Sequence, residues 1–277
     1  FANCIKLDCT TADTSIAAGE YLVLHQNFEG QDLQQIKKGT SDAEIITLSF
    51  YVKANAAFTF GVELVDNDNS RQITKLYNTT TGWVRHELTF PADTTGAFDD
   101  DVGSSISLYF WLHAGATYTS GTLNTAAWAG QINANRLAGI DSFYSSTDNN
   151  FFLTGVQLEI GSQATNFEHR SFGEELSLCK RYYQSITGFV GKAITTAVFQ
   201  ASYSFPTTMR AAPSASQSAV LNITDGASNF AQSSAAITTQ SSQVGSWFGL
   251  FGNFSSLTQF RPHSKTSTSE ILFDAEL

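Results

Sequence analysis

The segment IITLSFYVK, Ile45–Lys53, alternates apolar side chains with more polar ones from Ile46 onward. Successive side chains of a β-strand point to opposite faces of its sheet, so this alternation is typical of a strand with one face in a core. The apolar side chains that share one face are Ile46, Leu48, Phe50 and Val52. The stretch therefore predicts a β-strand that is buried on one side.

Similar alternation recurs in four other segments: Phe58–Val65, Trp83–Phe90, Ile106–His113 and Phe152–Ile160. In the last of these, the residues predicted to point inward are Phe152, Val156, Leu158 and Ile160. Clusters of Asn, Asp, Gly and Ser separate the segments, as in antiparallel sandwiches. We expect an all-β protein in which residues 1–170 form a jelly-roll β-sandwich. Alternation resumes beyond Gly188, which predicts a smaller C-terminal β domain over residues 188–277.

One segment between these domains has helical spacing. The stretch FGEELSLCKRYYQ, residues 172–184, is preceded by Ser171, which can cap a helix together with Glu174. We predict a short connecting helix within residues 171–187. Its apolar positions are spaced four, three and four residues apart and form a narrow apolar seam: Phe172, Leu176, Cys179 and Tyr183.

The composition excludes several classes of protein. The formal charge is −10, from 25 acidic and 15 basic residues, and no run of Lys and Arg exceeds two, so nucleic acid is not an expected partner. No apolar run approaches the roughly 18 residues of a membrane span, so membrane insertion is not expected. In an extended segment, Cys4 and Cys9 would lie about 16 Å apart, which is too far for a disulfide. With Cys179, expected to be a small buried apolar residue, they predict three free thiols and assembly in a reducing cytoplasm.

No catalytic constellation emerges from the sequence, and we expect a protein that is not an enzyme. Glycoside hydrolysis requires two carboxylates at a defined separation, and acids such as Glu63 and Glu159 are not set apart from ordinary surface acids. The histidines are scattered singly, so a zinc site and other cofactors are not expected. Asp66 and Asp68 begin like a calcium-binding loop, but the rest of that pattern fails. A polar turn is therefore favoured over a structural calcium site that uses these two carboxylates.

Aromatic residues on the outward positions of the strands are the candidate binding residues. If Ile106–His113 buries its even-numbered residues, then Tyr109, Trp111 and His113 point outward, as do Trp83 and Arg85 in another segment. Flat apolar rings bordered by polar groups can bind sugars by stacking. The alternative is that this face is covered by a neighbouring subunit or by the loop of residues 115–138, which carries Tyr118 and the further candidate Trp128.

The segment GVQLEIGSQATNFEHRSFGEELSLCKRYYQ, residues 155–184, resembles a segment of tailed-bacteriophage virion proteins, chiefly tail fibres. There, a last strand runs through a Phe-Glu-His turn into a short helix that ends in Arg-Tyr-Tyr. The resemblance extends to FEGQDLQQIKKGTSDAE, to WVRHELTFPADTTGAFDDD and to the closing ILFDAEL, and together the matches cover most of the chain. It implies a jelly roll similar to carbohydrate-binding modules, in a virion appendage that is typically trimeric. The resemblance assigns no binding residue.

The sequence is compatible with three functions. The first is a non-catalytic virion protein, assembled in the host cytoplasm, that attaches the phage to bacterial surface polysaccharide with the avidity of a homotrimer. The second is a purely structural virion component, such as a capsid decoration protein, that contacts other virion proteins. The third is a glycan-degrading tailspike or the binding module of a secreted hydrolase. The seam could pack against its copies around a threefold axis or against its own jelly roll.

Overall fold

A computed structural model describes residues 1–276 of the 277-residue chain. Strands account for 41% of the residues and helices for 9%, so the predicted all-β class is confirmed. The chain divides into two compact units, Phe1–His169 and Arg170–Leu277. None of the helices within residues 1–276 is long and apolar enough to cross a bilayer.

The first unit is built from strands of two to eleven residues. They are β1 (Ile5–Asp8), β2 (Tyr21–Glu29), β3 (Ile46–Ala54), β4 (Thr59–Asp66), β5 (Arg71–Asn78), β6 (Val84–Phe90), β7 (Ser104–Ala114), β8 (Ala129–Gly130) and β9 (Asn150–Ile160). The helical segments are α1 (Ala116–Thr119) and the 3-10 turns Gly30–Asp32, Gln34–Ile36, Asn133–Asn135 and Phe143–Ser145. The predicted strands lie within a few residues of the observed ones.

Two antiparallel sheets form the first unit. The back sheet has the strand order β1-β9-β3-β6, and the front sheet has the order β2-β7-β4-β5-β8. The chain crosses repeatedly from one sheet to the other, as it does in a jelly roll, so the predicted sandwich is confirmed.

The core between the two sheets is rich in aromatic side chains. The Phe50 ring of the back sheet lies 5.0 Å from Phe110 and 5.1 Å from Tyr77 of the front sheet, both edge-to-face. Full burial of each such side chain stabilises the fold by roughly 1.5–3 kcal/mol. The predicted inward residues of β3 are all buried, as are those of β7: Ile106, Leu108, Phe110 and Leu112.

The face predicted for Phe152 is wrong. Phe151 and Leu153 of β9 point into the core, whereas Phe152 is half-buried on the other side of the sheet. The cause is a bulge: the β3–β9 register shifts between Ser49 and Tyr51, opposite Gly155 of β9, whose φ is 60°. A glycine reaches this left-handed conformation without the steric cost of a side chain, so alternation changes phase within one strand.

The second unit contains helix α2 (Phe172–Cys179) and ten short strands within the described residues. The strands are β10 (Tyr183–Ile186), β11 (Val190–Ala193), β12 (Phe199–Ser204), β13 (Ser214–Gln217), β14 (Asn222–Thr224), β15 (Asn229–Ala231), β16 (Ile237–Gln243), β17 (Ser246–Phe251), β18 (Pro262–Lys265) and β19 (Ile271–Asp274). A three-stranded sheet has the order β10-β19-β13, and a seven-stranded sheet has the order β15-β14-β18-β11-β12-β17-β16. Phe199, Trp247, Phe251 and Phe273 are buried in the core of this unit.

The predicted helix exists but is shorter than expected. Its capping box is confirmed, because the Ser171 hydroxyl accepts from the Glu174 amide and the Glu174 carboxylate accepts from the Ser171 amide. The helix ends at Cys179, and Tyr183 begins strand β10. Pairing of β10 with β19 buries Gln184 and Ile186 and outweighs the helical spacing of the sequence. The seam therefore lies on a helix and a strand of the second unit.

Candidate functional site

The outer side of the front sheet carries an aromatic surface that is open to solvent. Tyr21 and His25 of β2, Tyr109 of β7 and Tyr118 of α1 form this surface, called here the front face. Tyr21 is 55% exposed, His25 is exposed, and the two other tyrosines are half-buried. The Tyr21 and Tyr118 rings meet edge-to-face at 5.6 Å, and His25 stacks on Tyr109 at 5.4 Å.

Trp111 supports the front face from below. Its ring lies 5.7 Å from Tyr21, 5.3 Å from Tyr118 and 5.9 Å from Tyr109, yet only 2% of the residue is exposed. Trp111 points away from the core, but Tyr118 from the loop of residues 115–138 covers it, which is what the alternative interpretation of this surface predicts. Trp111 therefore positions the exposed rings, and a ligand would contact the tyrosines.

A buried ion pair braces this arrangement. The Arg136 side chain donates to both oxygens of the Glu63 carboxylate over 2.7–3.0 Å, and the Trp111 indole donates to the same carboxylate over 2.9 Å. The guanidinium also lies over the Trp111 ring at 4.7 Å from its centroid, and over Tyr109 and Tyr118 at 5.6 and 5.8 Å. One cation thus holds three aromatic side chains of the site in fixed positions.

Glu63 is a structural acid in this geometry. Its side chain is fully buried, and burial raises the pKa of its carboxyl group while the Arg136 and Trp111 donors oppose that rise. A general acid must reach the glycosidic oxygen of a substrate. Because all close polar contacts of Glu63 are inside the protein, the residue serves to hold Arg136 and Trp111.

The two other sequence candidates of this region lie elsewhere. His113 is 2% exposed, and its ring contacts Ser142 and Tyr144. Burial lowers the pKa of His113. Trp128 is 7% exposed and donates its indole N–H to the Pro91 carbonyl over 2.9 Å. Neither of them belongs to the front face. The register between β2 and β7 shifts just before His113, and Trp128 packs into the core of the first unit.

Lys38 forms a buried cationic centre close to Trp128. Its ammonium group lies 2.5 Å from Asp66 and 3.2 Å from Asp93, and it donates to the Thr95 and Gly96 carbonyls over 2.7 and 2.8 Å. Carboxylate and carbonyl oxygens of this kind are also the ligands that calcium prefers. The ammonium therefore lies at the point where four oxygens converge.

The calcium candidates are accordingly engaged with protein donors. Asp66 binds Lys38 and accepts from the Asn69 amide, and Asp68 accepts from the Asp99 amide over 3.0 Å. Within residues 1–276, no group of three or more His, Cys, Asp and Glu side chains is placed to hold a metal ion. Burial by itself raises the pKa of Asp93, but hydrogen bonds from Arg71 and Lys38 outweigh it, so that pKa is lowered.

Trp83 and Arg85 lie on the outer side of the back sheet, away from Tyr109 and Trp111. The sequence had placed these residues on one surface, which is wrong because β6 and β7 belong to different sheets. Trp83 is 45% exposed and contacts Phe152 and Lys53. Arg85 pairs with Glu87 at 2.7 Å and also donates to the Thr165 carbonyl.

Several site residues escaped sequence analysis. Tyr21 and His25 belong to YLVLHQNF, where Leu22 and Leu24 pack against the core and the odd-numbered residues face outward. That alternation was available as a signal. Arg136 follows a 3-10 turn in a loop, and no sequence pattern links it to Glu63 or Trp111.

The apolar seam of the second unit is exposed. Phe172 is 82% exposed, Leu176 is 39% exposed and Tyr183 is 44% exposed. Cys179 is exposed as well, so its predicted burial is wrong. The cysteines Cys4, Cys9 and Cys179 are all free thiols, as predicted.

Comparisons with known proteins add little. No family model matches the chain, and no match was found among curated proteins. One solved structure, described as "CBM4 structure and function", is similar over 57% of this chain and 82% of its own, with 16% identity and a TM-score of 0.27. The PBSX exported protein XepA is similar over 97% of this chain and 86% of its own, with 11% identity and a TM-score of 0.22. At such TM-scores, neither similarity supports a conclusion about fold or function.

Proposed function

We propose that this protein is a non-catalytic virion component, part of a tail fibre or similar appendage of a tailed phage, that binds bacterial surface glycan through the front face. The observation that carries the proposal is the set of rings formed by exposed Tyr21 and half-buried Tyr109 and Tyr118, which buried Trp111 and Arg136 hold in place. The resemblance of the sequence to phage tail fibres supports the virion context, with assembly in the host cytoplasm beside other virion proteins.

The chemistry of the front face suits a neutral or weakly polar saccharide. A pyranose ring has an apolar face that stacks on an aromatic ring, and its hydroxyl groups need hydrogen-bond partners at the border. The phenol groups and the exposed His25 supply such partners. Arg136 offers no free charge, because Glu63 neutralises it. Pre-organised rings also lose little conformational entropy on binding.

The test is binding to an array of bacterial surface polysaccharides. We expect Tyr21→Ala to weaken glycan binding by about tenfold, which corresponds to ~1.4 kcal/mol. The control is Ile132→Ala, which removes a 55% exposed apolar side chain outside the front face. Equal binding by the two variants and the wild type would exclude the front face. Release of reducing ends from a bound polysaccharide would instead favour a glycan-degrading tailspike.

We further propose that the protein is a homotrimer joined through the apolar seam. A capped helix that leaves Phe172 and Leu176 exposed has an apolar surface without a partner inside the described chain. Three copies would multiply weak glycan sites by avidity. Light scattering of Leu176→Ala, with the exposed polar change Glu175→Gln as control, tests this assembly. A monomeric wild-type protein would contradict it.

A further inference from the structure

A row of alternating aromatic and cationic side chains crosses the outer side of the back sheet. Lys6 of β1 and Lys53 of β3 both pair in register with Phe152 of β9. Trp83 directly precedes Val84, the partner of Val52, so it lies beside Lys53 at the far edge. Three adjacent strands and the residue that leads into β6 therefore contribute one side chain each to this row, called here the back strip: Trp83, Lys53, Phe152 and Lys6.

The members of the back strip contact one another in sequence. The Lys53 ammonium lies 5.3 Å from the centroid of the Trp83 ring and 4.5 Å from that of Phe152. The Lys6 ammonium lies 5.7 Å from the Phe152 centroid. Trp83 is 45% exposed and the Lys6 side chain is 51% exposed, so the strip is open to solvent. Cation–π contacts of this kind fix the side chains without covering them.

The charge of Lys53 distinguishes this strip from the front face. Lys6 pairs with Asp8 at 2.7 Å, whereas Lys53 makes no ion pair with any carboxylate of residues 1–276. The protein has a formal charge of −10 and thus an excess of acids that could have neutralised it. An uncompensated ammonium between two accessible rings is suited to an anionic group carried by a flat apolar surface.

We propose that the back strip is a second saccharide-binding site, selective for polysaccharide that contains uronic acids. The sugar ring stacks on Trp83, and its carboxylate pairs with the Lys53 ammonium. A nucleic acid would need a longer basic track, and one of the two lysines here is already paired with an acid. The back strip is separate from the front face, so a failure of glycan binding at the front face would not contradict this second proposal.

The experiment is a calorimetric titration of the full chain with oligogalacturonate, and with the fully methyl-esterified form of the same oligosaccharide. We expect the acidic form to bind at least about tenfold more tightly than the ester. Lys53→Gln and Trp83→Ala should each weaken the acidic form by a similar factor. Lys53→Arg and Trp83→Phe should retain most of the binding, because they keep the charge and the ring.

Two control variants test whether the effect is specific to the back strip. Lys192→Gln makes the same charge change at an exposed position of the second unit, and Tyr21→Ala alters the front face; neither should affect this titration. The proposal would be overturned if the acidic and the esterified oligosaccharide bound equally well, or if neither of them bound. It would also be overturned if Lys53→Gln left the affinity for the acidic form unchanged. Binding of oligo(dT) with the same dependence on Lys53 and Trp83 would overturn it as well, in favour of a nucleic-acid site.

Discussion

The front face and the back strip are built from the same components but differ in their balance of charge. On the front face, Arg136 lies beneath the rings and is neutralised by buried Glu63. On the back strip, Lys53 lies between the rings without a carboxylate partner within residues 1–276. A cation that is buried and paired acts as a structural brace, whereas one that is half-exposed and unpaired is available to a ligand. The pairing of the cation, more than the presence of aromatic rings, indicates what each face can bind.

The largest effect should come from breaking the front-face brace. Arg136→Met leaves the Glu63 carboxylate buried without its partner, which should lower the free energy of unfolding by about 3–5 kcal/mol. Chemical denaturation of the variant and the wild type measures this change. The double variant Arg136→Met with Glu63→Gln should recover part of the loss, because no unpaired charge remains. A loss below ~1 kcal/mol would mean that Arg136 is not a brace.

Lys38 offers a second test of a paired cation. Lys38→Met leaves Asp66 and Asp93 buried without their ammonium partner, and we expect a loss of about 3 kcal/mol in the free energy of unfolding. Truncation to Lys38→Ala, unlike the near-isosteric Met, also vacates the point where two carboxylates and two carbonyl oxygens converge. Calcium should therefore raise the melting temperature of Lys38→Ala and leave that of the wild type unchanged. A calcium response in the wild type would contradict the assignment of this position to Lys38.

The unpaired cation should matter far less for stability. Lys53→Met removes two partly exposed cation–π contacts and should cost about 0.5–1 kcal/mol in the free energy of unfolding. The same denaturation experiment as for Arg136→Met makes the comparison direct, since both variants replace a cation by the same side chain. A cost near that of Arg136→Met would remove the distinction between the two faces.

Alternation along the sequence is sufficient to predict five strands of the first unit, β3, β4, β6, β7 and β9, and much of its core. Leu48 and Phe110 are buried, as the period-two alternation predicts, because each of them lies on the apolar face of its strand. Alternation does not encode which strands are neighbours, however, and so it placed Trp83 beside Trp111 although β6 and β7 belong to different sheets. The bulge at Gly155 depends on one backbone conformation and reverses the expected face of Phe152.

Long-range contacts account for the other differences. Tyr183 has helical spacing relative to Leu176 and Cys179, but its segment pairs with β19, whose residues are far away in the sequence. Local patterns carry no information about that pairing. Arg136 comes to Glu63 from a loop that follows β8, so the brace of the front face is visible only once the chain has folded.

The smallest expected effect concerns His113, which the sequence had assigned to the binding surface. Burial lowers the pKa of His113 from its usual 6.5, so the unfolded chain takes up its proton at a higher pH than the folded protein. The stability that this residue contributes is therefore present above pH ~6.5 and is lost as the pH falls toward the folded pKa, with a slope of at most ~1.4 kcal/mol per pH unit. His113→Gln should flatten the pH dependence of the unfolding free energy in this range. Because His113 contacts Ser142 and Tyr144 and not the front face, the variant should leave the pH profile of glycan binding unchanged. If His113→Gln changed the pH profile of glycan binding and left the unfolding free energy unchanged, His113 would have to be assigned to the binding surface.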